Sequence, residues 1–259
     1  MSSATVTQVG AIARRAVLRT SRQPASIIPP LIFPVALMAV NAGGLRASTN
    51  LPGFPTDSFL AFALAVPFIQ GALFSTMNAG TDIARDVQTG FVNRLSLTEL
   101  RDWALLTGQL AGIVVLGVVQ VVFYIAVGLT AGVRFESGPA GIAVLLVYGA
   151  IVALAFGALG AWLAYRTGSG ETIQALFPVL FVFLFISSMN MPRNLIETDW
   201  FRWIATLNPV SYLIEGLRSL VVVGWDLEAL AIGFGIAALS IVLALSVSAT
   251  AFRARLTRT

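Results

Sequence analysis

The amino-acid sequence predicts an all-α polytopic membrane protein with six transmembrane helices. Of its 259 residues, 57% are hydrophobic and only 11% are charged, whereas about a quarter of the residues of a soluble domain are charged. Apolar runs of roughly the 20 residues that cross a bilayer as a helix alternate with short polar segments. These two observations together exclude a soluble globular domain.

The chain opens with a basic amphipathic segment at residues 5–22. Its four arginines lie opposite an apolar face on a helical projection. Such a helix is expected to lie in the membrane interface, and a solvated tail is the alternative. The first transmembrane span follows at 27–42. Three prolines near its start, Pro29, Pro30 and Pro34, predict a kink or a break there.

A charged segment at residues 82–102 follows the second span, which we place at 58–78. It carries seven charged side chains. Four apolar residues recur at every fourth position and would share one face of a helix: Ile83, Val87, Phe91 and Leu95. Because a helix this charged cannot cross a bilayer, we expect it at or outside the membrane surface. An ordinary surface loop is the alternative, but a loop has no need of an apolar face.

The third, fourth and fifth spans are predicted at 103–132, 140–165 and 172–189. The fourth is rich in small residues, and Gly157 with Ala161 has the spacing that lets two helices approach closely. Tight turns at 134–139 and 166–171 connect these spans. The last span is placed at 227–252 and is followed by a basic tail.

Residues 192–224 separate the last two spans and are not expected to form another. Their first half is too polar, and the apolar second half is short and carries Glu215 and Arg218. We therefore expect two short extracellular re-entrant helices, which enter the membrane and return to the same side. Glu215 and Arg218 are three residues apart and would pair on one helix face, closing an outer vestibule. A role in gating or in contacting cargo is the alternative.

The distribution of arginine predicts the orientation. With six spans, both termini, the charged segment and the 166–171 turn share one side, which holds eleven of the sixteen arginines. Basic residues are enriched in cytoplasmic loops. Both termini and the charged segment are therefore expected in the cytoplasm, and the membrane is expected to be the cell (inner or plasma) membrane of a bacterium.

Several classes of function are excluded by residues that the chain lacks. It contains no histidine, cysteine or lysine, which rules out imidazole catalysis, thiolate metal sites and a P-loop. The predicted spans hold essentially no ionisable residue, which argues against ion-coupled transport. Ser187 and Ser188 have no base to activate them, so we expect no catalytic residue, metal or cofactor in this chain. The dispersed arginines argue against a nucleic-acid partner.

The charged segment resembles the cytoplasmic coupling segment of ABC-2 type permeases. The run DIARDVQTGFVNRL at 82–95 precedes a long span, as in the membrane subunits of daunorubicin-type drug exporters and nodulation-factor exporters. Asp86, Gly90 and Arg94 match its acidic residue, glycine and basic residue at intervals of four. Family members commonly carry a proline after the leucine, whereas this chain continues SLTELRDW, which leaves the start of the third span open.

A second stretch carries the same resemblance. SSMNMP at 187–192, NPVSYLIEGLR at 208–218 and then Gly224 resemble the end of the fifth span and the extracellular re-entrant helices of that family. The resemblance marks six residues as an outer gate: Pro192, Asn208, Pro209, Tyr212, Glu215 and Arg218.

The resemblance implies the membrane subunit of an ATP-driven exporter. Two permease copies, identical or paralogous, would form the pore, and each would bind a separate nucleotide-binding subunit that holds ATP and Mg²⁺. Seven residues would couple to that subunit: Asp82, Arg85, Asp86, Gly90, Phe91, Arg94 and Leu95. The cargo would be amphipathic or lipid-like, such as a drug or a glycolipid, which corresponds to multidrug efflux, antibiotic resistance or lipid export.

In the same family-based hypothesis, spans one and five would line the route of the cargo. The candidates on span five are Phe177, Phe181, Phe183, Phe185 and Met189. For each of them, packing against lipid or neighbouring helices is the alternative. Two other functions compete with the exporter. A membrane-embedded enzyme is disfavoured by the missing residue types, and a structural or insertase-like protein would work without an ATPase.

Overall fold

The computed structural model describes residues 10, 13–15, 17–19, 22–91 and 102–256, and gives the backbone alone for 102–107, 109 and 252–256. Nine α-helices have both of their bounds in this part of the chain: α1 (Pro24–Gly44), α2 (Phe59–Ala63), α3 (Ala65–Gln88), α4 (Asp102–Thr130), α5 (Gly138–Thr167), α6 (Gly170–Phe185), α7 (Asp199–Leu207), α8 (Pro209–Arg218) and α9 (Leu227–Leu256). The described residues contain no strand, which confirms the all-α prediction. Residues 13–15 and 17–19 of the predicted amphipathic helix are helical, and most of its remainder lies outside the described residues.

Five helical segments of the described chain are long and apolar enough to cross a membrane: Pro24–Gly44, Phe59–Gln88, Leu110–Thr130, Gly138–Thr167 and Leu227–Ala251. The predicted fifth span is the exception. Its helix α6 has 16 residues and is about 24 Å long, less than the roughly 30 Å of a bilayer core. The six-span count therefore stays a prediction.

The charged segment is not a separate helix at its start, which corrects the sequence prediction. Residues 82–88 are the last turns of α3, which runs without a break from Ala65 to Gln88. The reason is that Ile83 and Val87 are buried against the end of α5 and the start of α6. Their apolar face is used inside the chain. Residues 92–101 lie outside the described part.

Helix α3 forms the centre of the packing. In its segment, Phe59–Gln88, 94% of the apolar window is buried inside the chain, the largest share among the five candidate spans. It packs most extensively on α5 and also contacts α1, α4 and α6. A methyl group on Gly160 of α5 would overlap the backbone oxygen of Thr76. Glycine thus permits the close approach of these two helices.

Helix α1 continues across its prolines, so that of the predicted kink or break near its start the break does not occur. Pro29, Pro30 and Pro34 all lie within Pro24–Gly44. Two carbonyls that the prolines leave without a helical donor accept hydrogen bonds from side chains of α3 and α4. Prolines are tolerated in membrane helices where neighbouring helices supply such partners.

Candidate functional site

Four charged residues form one cluster at the end of α3, which we call the arginine–aspartate cluster: Arg15, Arg19, Asp82 and Asp86. The Asp86 carboxylate accepts hydrogen bonds from Nη1 and Nη2 of Arg15, at 3.1 and 3.0 Å, and from Nη1 of Arg19 at 2.9 Å. Arg19 also pairs with Asp82. Arg15 and Arg19 are four residues apart, and so are Asp82 and Asp86. The two arginines therefore share one helix face, and so do the two aspartates.

The cluster joins the N-terminal segment to the end of α3. The Asp86 side chain is only 7% exposed, and Phe91 lies under Arg15 with its ring centroid 3.8 Å from the guanidinium carbon. Burial lowers the pKa of Arg19, but its hydrogen bond to Asp82 and the two aspartate charges outweigh burial, so that the pKa lies above its ordinary value. The hydrogen bonds of the arginine–aspartate cluster hold the N-terminal segment against the end of α3.

The predicted coupling residues therefore divide into groups. Asp82 and Asp86 are engaged with the N-terminal arginines, Arg85 is exposed, and Gly90 has a φ of 67° just beyond the helix end. Arg94 and Leu95 lie outside the described residues. Sequence reasoning placed the arginines on the polar face of the N-terminal helix but did not assign them to Asp86. The matching four-residue spacing of opposite charges was the available signal.

At the other end of the helices, Glu215 pairs with Arg193 and not with Arg218. The carboxylate accepts hydrogen bonds from Nε and Nη2 of Arg193 at 2.7 and 2.6 Å. The guanidinium carbon of Arg193 lies 4.2 Å from the ring centroid of Tyr212. The prediction of a Glu215–Arg218 pair is wrong, because Arg193 binds the carboxylate in a bidentate manner, with one hydrogen bond to each oxygen. Burial lowers the pKa of Arg193, but Glu215 and Tyr212 together raise it above its ordinary value.

Arg218 is instead buried among backbone carbonyls. It is 5% exposed and donates to the oxygens of Phe62 at 3.2 Å, Ser188 at 3.1 Å and Met189 at 3.0 Å. Its guanidinium carbon lies 3.5 Å from the Phe62 ring centroid. Phe62 is in the last turn of α2, and Ser188 follows α6. Because carbonyls at helix C-termini carry partial negative charge, they stabilise the buried cation.

The remaining residues that were predicted to form an outer gate connect the helix ends. Asn208 donates through Nδ2 to the oxygens of Phe183 at 2.6 Å and Ile186 at 3.1 Å, and its Oδ1 accepts the backbone N–H of Val210 at 3.0 Å. It therefore closes the end of α6 and caps α8, in which Pro209 holds the first position. The Tyr212 hydroxyl donates to the oxygen of Thr206 at 2.8 Å.

An open cavity of about 480 Å³ lies beside these residues. Its charged lining residues are Arg193, Arg202, Glu215, Arg218 and Asp226, and Pro192 lies at its wall. Both signs of charge are present, so the cavity suits polar groups. Within the described residues, no group of three or more metal-ligating side chains stands together.

The candidate pathway residues do not share one surface. Phe177 and Phe181 pack against Phe74 of α3, with ring centroids 5.0 and 6.4 Å away. Phe183 and Phe185 are about half exposed, at 49% and 51%. Met189 is buried at 2% exposure and has no free face in this conformation. Of these five residues, only Phe183 and Phe185 therefore lie open on the outside of α6.

Comparisons with known proteins identify the family. A family model described as ABC-2 type transporter matches residues 7–222. A daunorubicin resistance ABC transporter permease protein, DrrB1 of Streptomyces coeruleorubidus, is 28% identical over 201 residues, which cover 75% of this chain and 66% of that relative, just under two thirds. A putative transport permease, ycf38 of Pyropia yezoensis, is 27% identical over 226 residues, with 85% and 75% covered. The ycf38 of Porphyra purpurea is 28% identical over 220 residues, with 82% and 73% covered. The chain therefore belongs to the ABC-2 type transporter family of membrane permeases.

Proposed function

We propose that this chain is the membrane-spanning subunit of an ATP-driven exporter, with the ATP and Mg²⁺ bound by a separate nucleotide-binding subunit. The family match over residues 7–222 is the observation that carries the proposal. A chain without lysine cannot form a P-loop of its own. Its own role is then to convert movement of the partner into movement of the helices.

The contact with the partner would lie at the charged end of α3. Arg85 is exposed there, and the rest of the coupling segment, with Arg94 and Leu95, follows directly in the chain. Asp86 is engaged with Arg15 and Arg19, so we assign to it the holding of the N-terminal segment and not a direct contact with the ATPase. This assignment replaces the role that the sequence alone suggested.

Helix α3 has the properties of a lever between the two ends of the molecule. It is unbroken over 24 residues, which corresponds to about 36 Å. The arginine–aspartate cluster is at one end. At the other, the chain continues into α2, where the Phe62 oxygen accepts a hydrogen bond from Arg218. Movement imposed near Asp86 would thus reach the outer-gate residues through packed and bonded elements.

The pore would form between two permease copies, identical or paralogous. Helix α1 is poorly covered within one chain, and Ile32 and Phe33 are exposed on it, as are Val182 and Phe183 on α6. Apolar walls of this kind suit an amphipathic or lipid-like cargo, for example a drug or a glycolipid. The arginine distribution supports an orientation with both termini and the coupling segment in the cytoplasm and α7 and α8 as re-entrant elements on the outside. The membrane would be a bacterial cell membrane.

Co-purification tests the proposal. The chain, extracted in detergent, is expected to retain a stoichiometric ATP-binding subunit whose ATP turnover depends on the coupling segment. Arg85→Glu should weaken this association about tenfold, because it reverses a charge at the contact. Arg202→Glu reverses an exposed charge at the other end of the helices and serves as the control. A chain that purifies alone and functions without an ATPase would contradict the exporter and favour a structural or insertase role.

A further inference from the structure

The three prolines inside α1, Pro29, Pro30 and Pro34, leave three backbone carbonyls without their helical partners, and two of these carbonyls receive another donor. In an α-helix, each N–H donates to the carbonyl four residues earlier, and proline has no N–H. Pro30 therefore leaves the oxygen of Ser26 without a helical donor, and Pro34 does the same to the oxygen of Pro30. Inside a bilayer no water is present to replace the missing donor.

Both carbonyls receive a hydrogen bond from another helix. Asn78 of α3 donates through Nδ2 to the oxygen of Ser26 at 2.8 Å. The hydroxyl of Tyr124, on α4, donates to the oxygen of Pro30. Tyr124 is fully buried, and Gly71 gives it room, because a methyl group there would lie 2.7 Å from the hydroxyl oxygen. The match of two donors to two proline-freed acceptors makes this a built arrangement.

Most residues of α1 are not buried within the chain. Of its 21 residues, only Pro30, Pro34 and Met38 are buried. Its outward side chains include Ile28, Ile32 and Val40, all more than half exposed. Apolar packing of this extent gives little directional preference within a membrane, where lipid is as apolar as protein. The two hydrogen bonds are therefore the short directional contacts of α1 with α3 and α4, beside a longer one from Nδ2 of Asn41 to Oδ1 of Asn190 at 3.5 Å and the ring contacts of Phe33.

We infer that Asn78 and Tyr124 are positioning residues that fix the first span on α3 and α4 through the carbonyls freed by Pro30 and Pro34. The positioning role is argued from these hydrogen bonds and does not depend on the proposed function. Its consequence for transport rests on the proposed exporter function: the bonds would set the resting position of a span that lines the route of the cargo.

A proline back-replacement cycle tests the inference. Tyr124→Phe removes the donor to the Pro30 oxygen, and Pro34→Ala restores a helical N–H to the same oxygen. The double variant should therefore regain the position of α1. Pro30→Ala is the matched control, because it restores a donor to the other carbonyl and should not compensate for Tyr124→Phe. Asn78→Leu removes the donor to the Ser26 oxygen. In that background Pro30→Ala should compensate and Pro34→Ala is the control.

Disulfide cross-linking provides the measurement. The chain has no cysteine, so the pair Phe33→Cys and Phe74→Cys is unambiguous, and the ring centroids of these residues lie 6.1 Å apart on α1 and α3. In membranes, Tyr124→Phe should slow cross-linking about fivefold, the factor expected for one net hydrogen bond. Pro34→Ala should restore the rate in that background, whereas Pro30→Ala should not.

Two results would overturn the inference: an unchanged rate in Tyr124→Phe, or equal rescue by both proline replacements. Gel filtration of each variant verifies that the chain is folded, and a folded double variant keeps the comparison decisive if a single variant aggregates. ATP turnover of a co-purified subunit is measured in parallel. A loss of the ATPase link with a normal cross-linking cycle would reject the exporter function and leave the positioning role intact.

Discussion

Asp86→Asn is the most informative single change at the arginine–aspartate cluster. It keeps the shape of the side chain but removes the negative charge that faces Arg15 and Arg19. Two guanidinium groups then lose their charged acceptor, although Arg19 retains its pair with Asp82. We expect the N-terminal segment to separate from the end of α3 for a larger fraction of time, with the rest of the helices unchanged.

The size of the effect follows from exposure. The side chain of Asp86 is 7% exposed and that of Arg15 is 42% exposed. The pair is therefore intermediate between an exposed and a buried ion pair. Exposed pairs contribute about 0.2–1 kcal/mol, and removal of one partner from a buried pair costs about 3–5 kcal/mol. An intermediate value of about 2–3 kcal/mol corresponds to an increase of about 30- to 140-fold in the detached population.

Limited proteolysis with trypsin measures that population. The arginines of the N-terminal segment are the cleavage sites, and cleavage follows the detached state when reattachment is fast. The rate of N-terminal cleavage should therefore rise by the same factor in Asp86→Asn. Asp199→Asn is the matched control, because its pair with Arg202 is exposed. A cleavage rate in Asp86→Asn within twofold of the unmodified chain would refute the reasoning.

Three further predictions concern stability, measured as the temperature at which the detergent-purified chain loses its gel-filtration peak. Arg218→Leu should destabilise by about 3–5 kcal/mol because buried carbonyls lose their donor, whereas Arg202→Leu should cost less than about 1 kcal/mol; equal losses would contradict this. Gly160→Ala should destabilise by about 1–3 kcal/mol through overlap with Thr76, and an unchanged melting temperature would show that α3 and α5 are less tightly packed. Gln70→Leu should stabilise by about 1–3 kcal/mol, since neither polar atom of this buried amide has a partner within the described residues; a loss would reveal one.

The helical architecture could be predicted because apolar runs of membrane length leave few alternatives. The prediction of a separate helix was wrong for residues 82–88, for a physical reason. Ile83 and Val87 do recur at helical spacing, but such spacing does not tell a new helix from the continuation of the previous one. Helix α3 continues because α5 and the start of α6 cover this face. That cover comes from residues about 80 positions later in the chain, for example Ala161 and Tyr165.

Partner choice among charges was the least predictable feature of the candidate sites. Sequence spacing identifies residues that share a helix face, and it therefore suggested Glu215 with Arg218. The partner of Glu215 is Arg193, 22 residues away, and the partner of Asp86 is Arg15, 71 residues away. Neither separation has a periodic signature. Such pairs depend on how helices and loops meet in three dimensions. For Asp86 the matching four-residue spacing of the arginines and the aspartates was a partial signal, whereas for Glu215 local spacing suggested the wrong partner.

The positions of the buried charges support the lever role of α3 better than any single pair does. One end of the helix holds Asp86, bonded to two arginines of the N-terminal segment. Beyond its other end, the backbone oxygen of Phe62 accepts a hydrogen bond from the buried Arg218. Helix α3 carries no charged residue between Ala65 and Asp82, and α5 packs closely along it. A packed, unbroken helix cannot absorb a movement in its middle. A tilt of α3 would therefore strain the hydrogen bonds of Asp86 and the hydrogen bond between Phe62 and Arg218 at the same time.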